Sequence, residues 1–239
     1  MGYLKKSPPV AARTLRVLSR LLSYPNAELR EHLPELATAL RSEAALSTAR
    51  LDELDDLIHW LSGSSRESGL LAVEEAYVEL FDRGRSTSLQ LFEHVHGDSR
   101  ERGPAMIDLA QTFEKAGLFL APGEMPDYLP VVLEFTSTQP PREARAFLRE
   151  MAHIFNAIFA ALQQRDTRYA SVLGALLELS GENAKPVKVK PEESLDQTWE
   201  EPVVFDGCST KGQSNPNQPQ IIHIVRTNAA NTHKIGVSV

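Results

Sequence analysis

Apolar residues recur three and four positions apart along most of the chain up to Gly181, which is the period of helices that bury one face. Ser7 followed by Pro8 marks a helix start, and Leu15, Leu18, Leu21 and Leu22 then share a face until Tyr24-Pro25 stops the run. A second helix carries Leu29, Leu33, Leu36 and Leu40, with Pro34 expected to restart or kink it. A third, from about Ser47, carries Leu51, Leu54, Leu57, Ile58 and Leu61. After a polar turn over Ser62 to Ser68, a fourth carries Leu70, Val73, Tyr77, Leu80 and Phe81 and breaks at Gly84.

Met106, Leu109, Ala110 and Phe113 form a further stripe, which Gly117 is placed to end in the left-handed conformation. Asp127 is positioned to cap the next helix, with Pro130 in its first turn and Leu129, Val132, Leu133 and Thr136 following. Pro140-Pro141 separates it from a long stripe of Phe147, Met151, Ile154, Ile158 and Leu162. Tyr169, Val172, Leu173, Leu176 and Leu177 form the last, closed by Gly181. The reading is all-α: one helical-bundle domain of eight or nine helices over residues 1–181.

The pattern fails beyond Gly181. Prolines 186, 191, 202, 216 and 219 punctuate a polar stretch, so residues 182–239 read as a mostly disordered tail with possible docking segments near Trp199 and over 221–225. The chain of 239 residues is 42% hydrophobic and 24% charged, enough for a core without metal or disulfide staples. One cysteine, Cys208, excludes a disulfide framework and suits a reducing cytoplasm. A net charge of -7 argues against nucleic acid as a partner. Met151 to Leu162, the most apolar stretch, is shorter than the roughly 20 residues a bilayer requires, and no signal peptide follows the first lysines, so a soluble protein with no stable membrane insertion is expected.

Leu80 to Gly103, LFDRGRSTSLQLFEHVHGDSRERG, is the densest unusual segment. Thr87 and Gln90 stand at capping-box spacing, which predicts a short helix from Ser88 to His96 with Leu89, Phe92, Glu93 and His96 on one face and His94 on another. His94 and His96 are two apart, a poor pair of ligands on a helix, so a metal- or cofactor-binding protein using them with Glu93 is the competing reading. Two others remain open: Glu93 and His96 as a hydrogen-bonded surface pair among solvated arginines, or a partner-binding surface. Arg83 and Arg85 beside Phe81, Leu91 and Phe92 combine charge forks with apolar anchors. The chain has no nucleophile elbow, phosphate loop, dinucleotide fingerprint or His-Glu-x-x-His motif, and no enzyme is read from it.

The same segment, followed by Met106, Asp108 and Leu109, resembles the signature of the NarJ-type chaperones that assemble the molybdenum cofactor of respiratory nitrate reductase. Supporting stretches are Leu18 to Leu22 with Tyr24-Pro25, MPDYLPVVLEF at 125–135, LQQRDTRYA at 162–170 and Trp199-Glu200-Glu201, so the resemblance covers about residues 20–205. It implies a cytoplasmic, non-enzymatic chaperone with no permanently bound cofactor. Its partner would be the catalytic, molybdenum-containing subunit of nitrate reductase, held by its N-terminal segment for cofactor insertion before membrane attachment. A chaperone for a different molybdoenzyme is the nearest alternative.

In wider relatives an acidic residue followed by histidine or an aromatic stands where Asp127-Tyr128 stand here. The client-peptide residues this implies, together with the segment's own chemistry, are Arg83, Arg85, Leu89, Phe92, Glu93, His96, Asp127 and Tyr128. Leu89, Phe92 and Tyr128 would line an apolar groove for a basic, amphipathic client helix. Tyr77, Leu80, Leu109 and Phe113 read as core, and Asp127 as a helix cap whether or not it also binds.

Overall fold

A computed structural model describes residues 12–63, 69–97 and 99–185. The chain divides into two units, Met1–Glu192 and Glu193–Val239, and every described residue lies in the first. The expected start at Ser7-Pro8, most of the Ser62 to Ser68 turn, Asp98, and the tail from Pro186 with Trp199, Cys208 and Ile221 to Val225 lie outside the described residues.

Among the described residues nine α-helices follow one another: α1 (Ala12–Leu21), α2 (Ala27–Glu43), α3 (Thr48–Leu61), α4 (Leu70–Tyr77), α5 (Leu91–Val95), α6 (Arg102–Lys115), α7 (Leu129–Thr138), α8 (Pro141–Gln164) and α9 (Ala170–Ser180). The all-α reading and its helix number hold. The extended pairing described is a single antiparallel bridge between Gln90 and Tyr128.

Leu15, Leu18, Leu21 and Leu22 are fully buried, which fixes the inward face of α1. Its first turn contains no acidic residue, and Glu43 at the end of α2 supplies the missing carboxylate. Glu43 Oε2 accepts the Thr14 amide at 2.6 Å and the Thr14 hydroxyl at 3.0 Å, satisfying a helix N-terminus whose amides lack intrahelical partners. On its other side α1 lies against α7, where the Ser19 hydroxyl donates to the Pro130 carbonyl at 2.8 Å and Arg16 Nε to the Ser137 hydroxyl at 3.1 Å.

Asn26 caps α2 by accepting the Leu29 amide at 2.9 Å, and Ser47 caps α3 through the Arg50 amide. Pro34 does not restart the second helix: α2 runs through it. Leu29, Leu33 and Leu40 are buried on both sides of the proline, and that packing offsets the one amide bond the ring removes. The pairing of α8 with α9 forms the other half of the core, with Leu148, Phe155, Ile158 and Leu162 buried on α8 and Val172, Leu173 and Leu176 on α9.

The fourth helix departs from expectation. Its α-helical part ends at Tyr77, and Val78–Asp82 widens into a π turn in which the Arg83 amide reaches the Val78 carbonyl, five residues back, at 3.1 Å. The turn closes tightly at Gly84, where a Cβ would run into the Leu80 carbonyl and the Thr87 hydroxyl. α6 is lightly attached, since Phe113 is its one buried residue while Met106, Leu109 and Ala110 are half-exposed. It ends as expected at left-handed Gly117, with Gly117 and Leu118 amides returning to the Glu114 and Phe113 carbonyls. Past Gly181 the chain stays tied to α8, because Asn156 bonds both the amide and the carbonyl of Lys185, at 2.8 and 3.0 Å.

Candidate functional site: an acidic cluster beside an apolar groove

The helix expected from Ser88 to His96 is shorter, Leu91–Val95, and Thr87 does not cap it. The Thr87 hydroxyl turns back to donate to the Leu80 and Gly84 carbonyls, over the space Gly84 leaves open. Leu89 and Gln90 lie outside the helix, and residues 89–91 pair with 127–129: the Leu129 amide donates to the Leu89 carbonyl at 2.8 Å, and the Leu91 amide to the Asp127 carbonyl at 3.0 Å.

This bridge delivers Asp127 to the start of α5, where Oδ2 accepts the Phe92 amide at 3.1 Å. Asp127 is a cap, as its sequence position suggested, but of α5 instead of α7. In α7 the N-cap is Tyr128 and Pro130 is the second helical residue, where its missing amide costs nothing.

Asp127 is 0% exposed, and its Oδ1 has no hydrogen-bond partner. Arg102, the first residue of α6, faces it with Nη2 at 3.9 Å from Oδ2. That nitrogen donates instead to Gln90 Oε1 at 3.1 Å, while Nη1 lies 3.5 Å from Glu93. Burial pushes the Asp127 carboxyl above the usual carboxylate range, against the Phe92 amide and Arg102, which both favour its charged form. Glu93 therefore pairs with Arg102 and not with His96, whose ring packs edge-on against Phe92 at 5.4 Å. His94 Nε2 lies 2.8 Å from the Ser88 carbonyl, so the two histidines engage separate partners. Among the described residues no group of three or more His, Cys, Asp or Glu is arranged to hold a metal.

Of the eight candidates, the structure brings Glu93 and Asp127 to Arg102, with Phe92 joined to Asp127 through its amide and His96 packed on Phe92. Tyr128 stands on the other side of the bridge, its hydroxyl 3.1 Å from that of Tyr77, which in turn donates to the Leu22 carbonyl at 2.8 Å. Burial pushes the pKa of both phenols up, so they stay un-ionised and act as neutral donors. Leu89 is 2% exposed and belongs to the core, so it supports this surface from beneath. Arg83 and Arg85 sit on the preceding turns, Arg83 65% exposed and paired with Glu79 of its own helix at 3.3 Å.

Next to the bridge, Gln90 and Tyr128 line a cavity of about 400 Å³ with Met125, Glu124 and Glu134. Glu124, Val131 and Glu134 also line a neighbouring groove of about 460 Å³, whose apolar wall is Leu118, Phe119, Leu120 and Phe135. Phe119 is 80% exposed and Met125 41%, so an apolar strip lies open beside a charged rim of Glu124, Glu134, Arg16 and Arg20.

The family model that matches the chain, described as nitrate reductase delta subunit, spans residues 24–173 and so takes in the whole of this site. The chain belongs to the nitrate reductase delta subunit family. Relatives agree. The nitrate reductase molybdenum cofactor assembly chaperone NarJ of Escherichia coli (strain K12) is 39% identical over 197 residues, covering 78% of this chain and 82% of that protein. The probable chaperone NarW of the same organism is 36% identical over 219 residues, 86% and 90% of the two chains. A probable NarJ of Bacillus subtilis (strain 168) is 33% identical over 164 residues, 69% and 86%. Among solved structures, a putative redox enzyme maturation protein from Archaeoglobus fulgidus aligns at 19% identity with a TM-score of 0.49, covering 76% of this chain and 96% of that one.

For this delta-subunit family member, the sequence reading missed the residues that complete the site. Arg102 was visible only as one of four arginines in a charged run, and no local spacing connects it to Asp127. Phe119 had a usable signal, an apolar triplet at 118–120 held between Gly117 and Pro122-Gly123, where loop composition calls for polar residues.

Proposed function

We propose that this protein is a dedicated, non-enzymatic assembly chaperone for the catalytic, molybdenum-containing subunit of respiratory nitrate reductase. It works in the cytoplasm, binds the N-terminal segment of that subunit, and keeps it open for molybdenum cofactor insertion before membrane attachment, holding no cofactor of its own. The names of its relatives support the client. The observation that carries the peptide-binding part is the apolar strip around Phe119 and Met125, continuous with a pocket where Glu124 and Glu134 stand beside Arg20, itself 3.6 Å from Glu28.

An amphipathic basic helix fits such a surface, with its apolar face on Leu118, Phe119 and Leu120 and its cations at the glutamates. Titration calorimetry with a peptide from the extreme N-terminus of the catalytic subunit tests the mechanism. Binding with a negative heat-capacity change is expected, as apolar area leaves water. No binding at tens of micromolar peptide, about −6 kcal/mol or weaker, would falsify peptide capture. Recovery of the nitrate reductase catalytic subunit with this protein from nitrate-respiring cells tests the client, and recovery of another molybdoenzyme would redirect it.

A further inference from the structure

We propose that Arg102 is a built-in placeholder for a cationic side chain of the client, displaced when a guanidinium or ammonium enters to meet Asp127. The inference rests on the peptide-binding reading above and adds how the charged part of the site is kept and opened.

The chemistry of the cluster is incomplete as it stands. Asp127 is wholly buried, yet one carboxylate oxygen carries a single amide bond and the other carries none. A guanidinium beside a carboxylate ordinarily gives it two parallel hydrogen bonds. Arg102 does not: at 3.9 Å its nearest nitrogen is outside hydrogen-bond reach of Oδ2, and it donates to Gln90 instead. Arg102 therefore neutralises the pocket without saturating it, and a cation that takes its place closer to the carboxylate would make bonds that the resting protein lacks.

The placeholder is also easily removed. Arg102 is the first residue of α6, a helix whose one buried side chain, Phe113, lies near the far end. Its side chain remains 26% exposed, and its ion pair with Glu93 is partly solvated. Lifting the first turn of α6 breaks contacts to Gln90 and Glu93 while Phe113 stays docked.

The approach favours a cation as well. Gln90, the acceptor that holds Arg102, lines the cavity that also contains Glu124 and Glu134; the one basic residue there, Arg20, is 3.6 Å from Glu28. Glu124 and Glu134 favour a positive side chain over an acidic one in this cavity, which adjoins the Gln90–Tyr128 bridge next to Asp127.

The test compares full-length wild type, Arg102→Gln, and Arg102→Gln combined with Asp127→Asn, each checked for helical circular dichroism. Two peptides are titrated into each: the client's N-terminal segment, and the same segment with its arginines and lysines replaced by glutamine. Arg102→Gln is expected to bind the basic peptide about tenfold more tightly than wild type, because the competing occupied state is gone. That gain should vanish with the neutral peptide and in the double variant. In wild type, basic peptide should also speed amide exchange over residues 102–106. Equal or weaker binding by folded Arg102→Gln overturns the placeholder while leaving peptide capture intact. No binding of either peptide to either single protein overturns both. Binding by Arg102→Gln alone supports both.

Discussion

The carboxylate of Asp127 accepts the backbone amide of Phe92 at 3.1 Å across 35 residues of sequence, so one side chain before α7 fixes the start of α5. Replacing it with alanine leaves that amide unpaired and removes a cap. Asp127→Ala is expected to cost about 1–2 kcal/mol in urea unfolding, and Asp127→Asn, which keeps an acceptor, distinctly less.

The same burial gives a pH signature. Since the folded state raises the Asp127 carboxyl above its ordinary value of 3.8, the folded protein holds that proton more tightly than the unfolded chain does. Its contribution to stability is therefore full below the ordinary value and is lost as pH rises through the raised one. Arg102 and the Phe92 amide moderate the loss and Glu93 adds to it. Measured between roughly pH 3 and 7, the stability of Asp127→Asn relative to wild type should increase with pH. A decrease would show that the Arg102 pairing outweighs desolvation.

Two buried phenols should respond oppositely to losing a hydroxyl. Tyr77 donates to the Leu22 carbonyl at the end of α1, so Tyr77→Phe strands a helix-terminal acceptor and is expected to cost about 1–2 kcal/mol. The Tyr169 hydroxyl is buried without a partner, between rings of Trp60 and Phe81, and Tyr169→Phe should be neutral or stabilising by thermal melt.

Gly84 and Gly103 offer a paired test of the turn geometry. Gly84→Ala forces a methyl into the Leu80 carbonyl and should destabilise by about 1–3 kcal/mol, with displacement of Thr87. Gly103 lies in the first turn of α6 with open space around it, so Gly103→Ala is expected to be harmless or to gain up to about 1 kcal/mol.

The exposed arginines separate fold from function. Arg83 pairs with Glu79 at the surface and Arg85 is exposed, so Arg83→Ala with Arg85→Ala should change stability by less than about 1 kcal/mol. Impaired nitrate reductase maturation in cells by that folded double variant would place these arginines in partner recognition. Full activity would leave them as a solvated face.

The helices were legible because each buries a stripe whose spacing is local: Leu15, Leu18, Leu21 and Leu22 could be read without knowing that α7 covers them. Asn26 and Ser47 caps and the Gly117 stop are likewise written within a few residues. What the spacing concealed was every decision taken between distant segments. Thr87 had an acceptable local role as a cap, but the space left at Gly84 lets its hydroxyl reach the Leu80 carbonyl, and residues 89–91 found backbone partners at 127–129. Asp127 was recognisable as a cap, yet which helix it serves depends on that pairing. Leu89 and Phe92 looked equivalent on a helical wheel; once Leu89 left the helix, it went to the core and Phe92 stayed at the surface.

The contact of α1 with α7 sets a timetable for synthesis. Ser19 waits for the Pro130 carbonyl, 111 residues downstream, before its hydroxyl has a partner. At about 5–20 residues per second, a translating ribosome takes roughly 6–20 s to supply it. For that interval the leucines of the first helix have no α7 to cover them, and the nascent chain must itself be kept from aggregating.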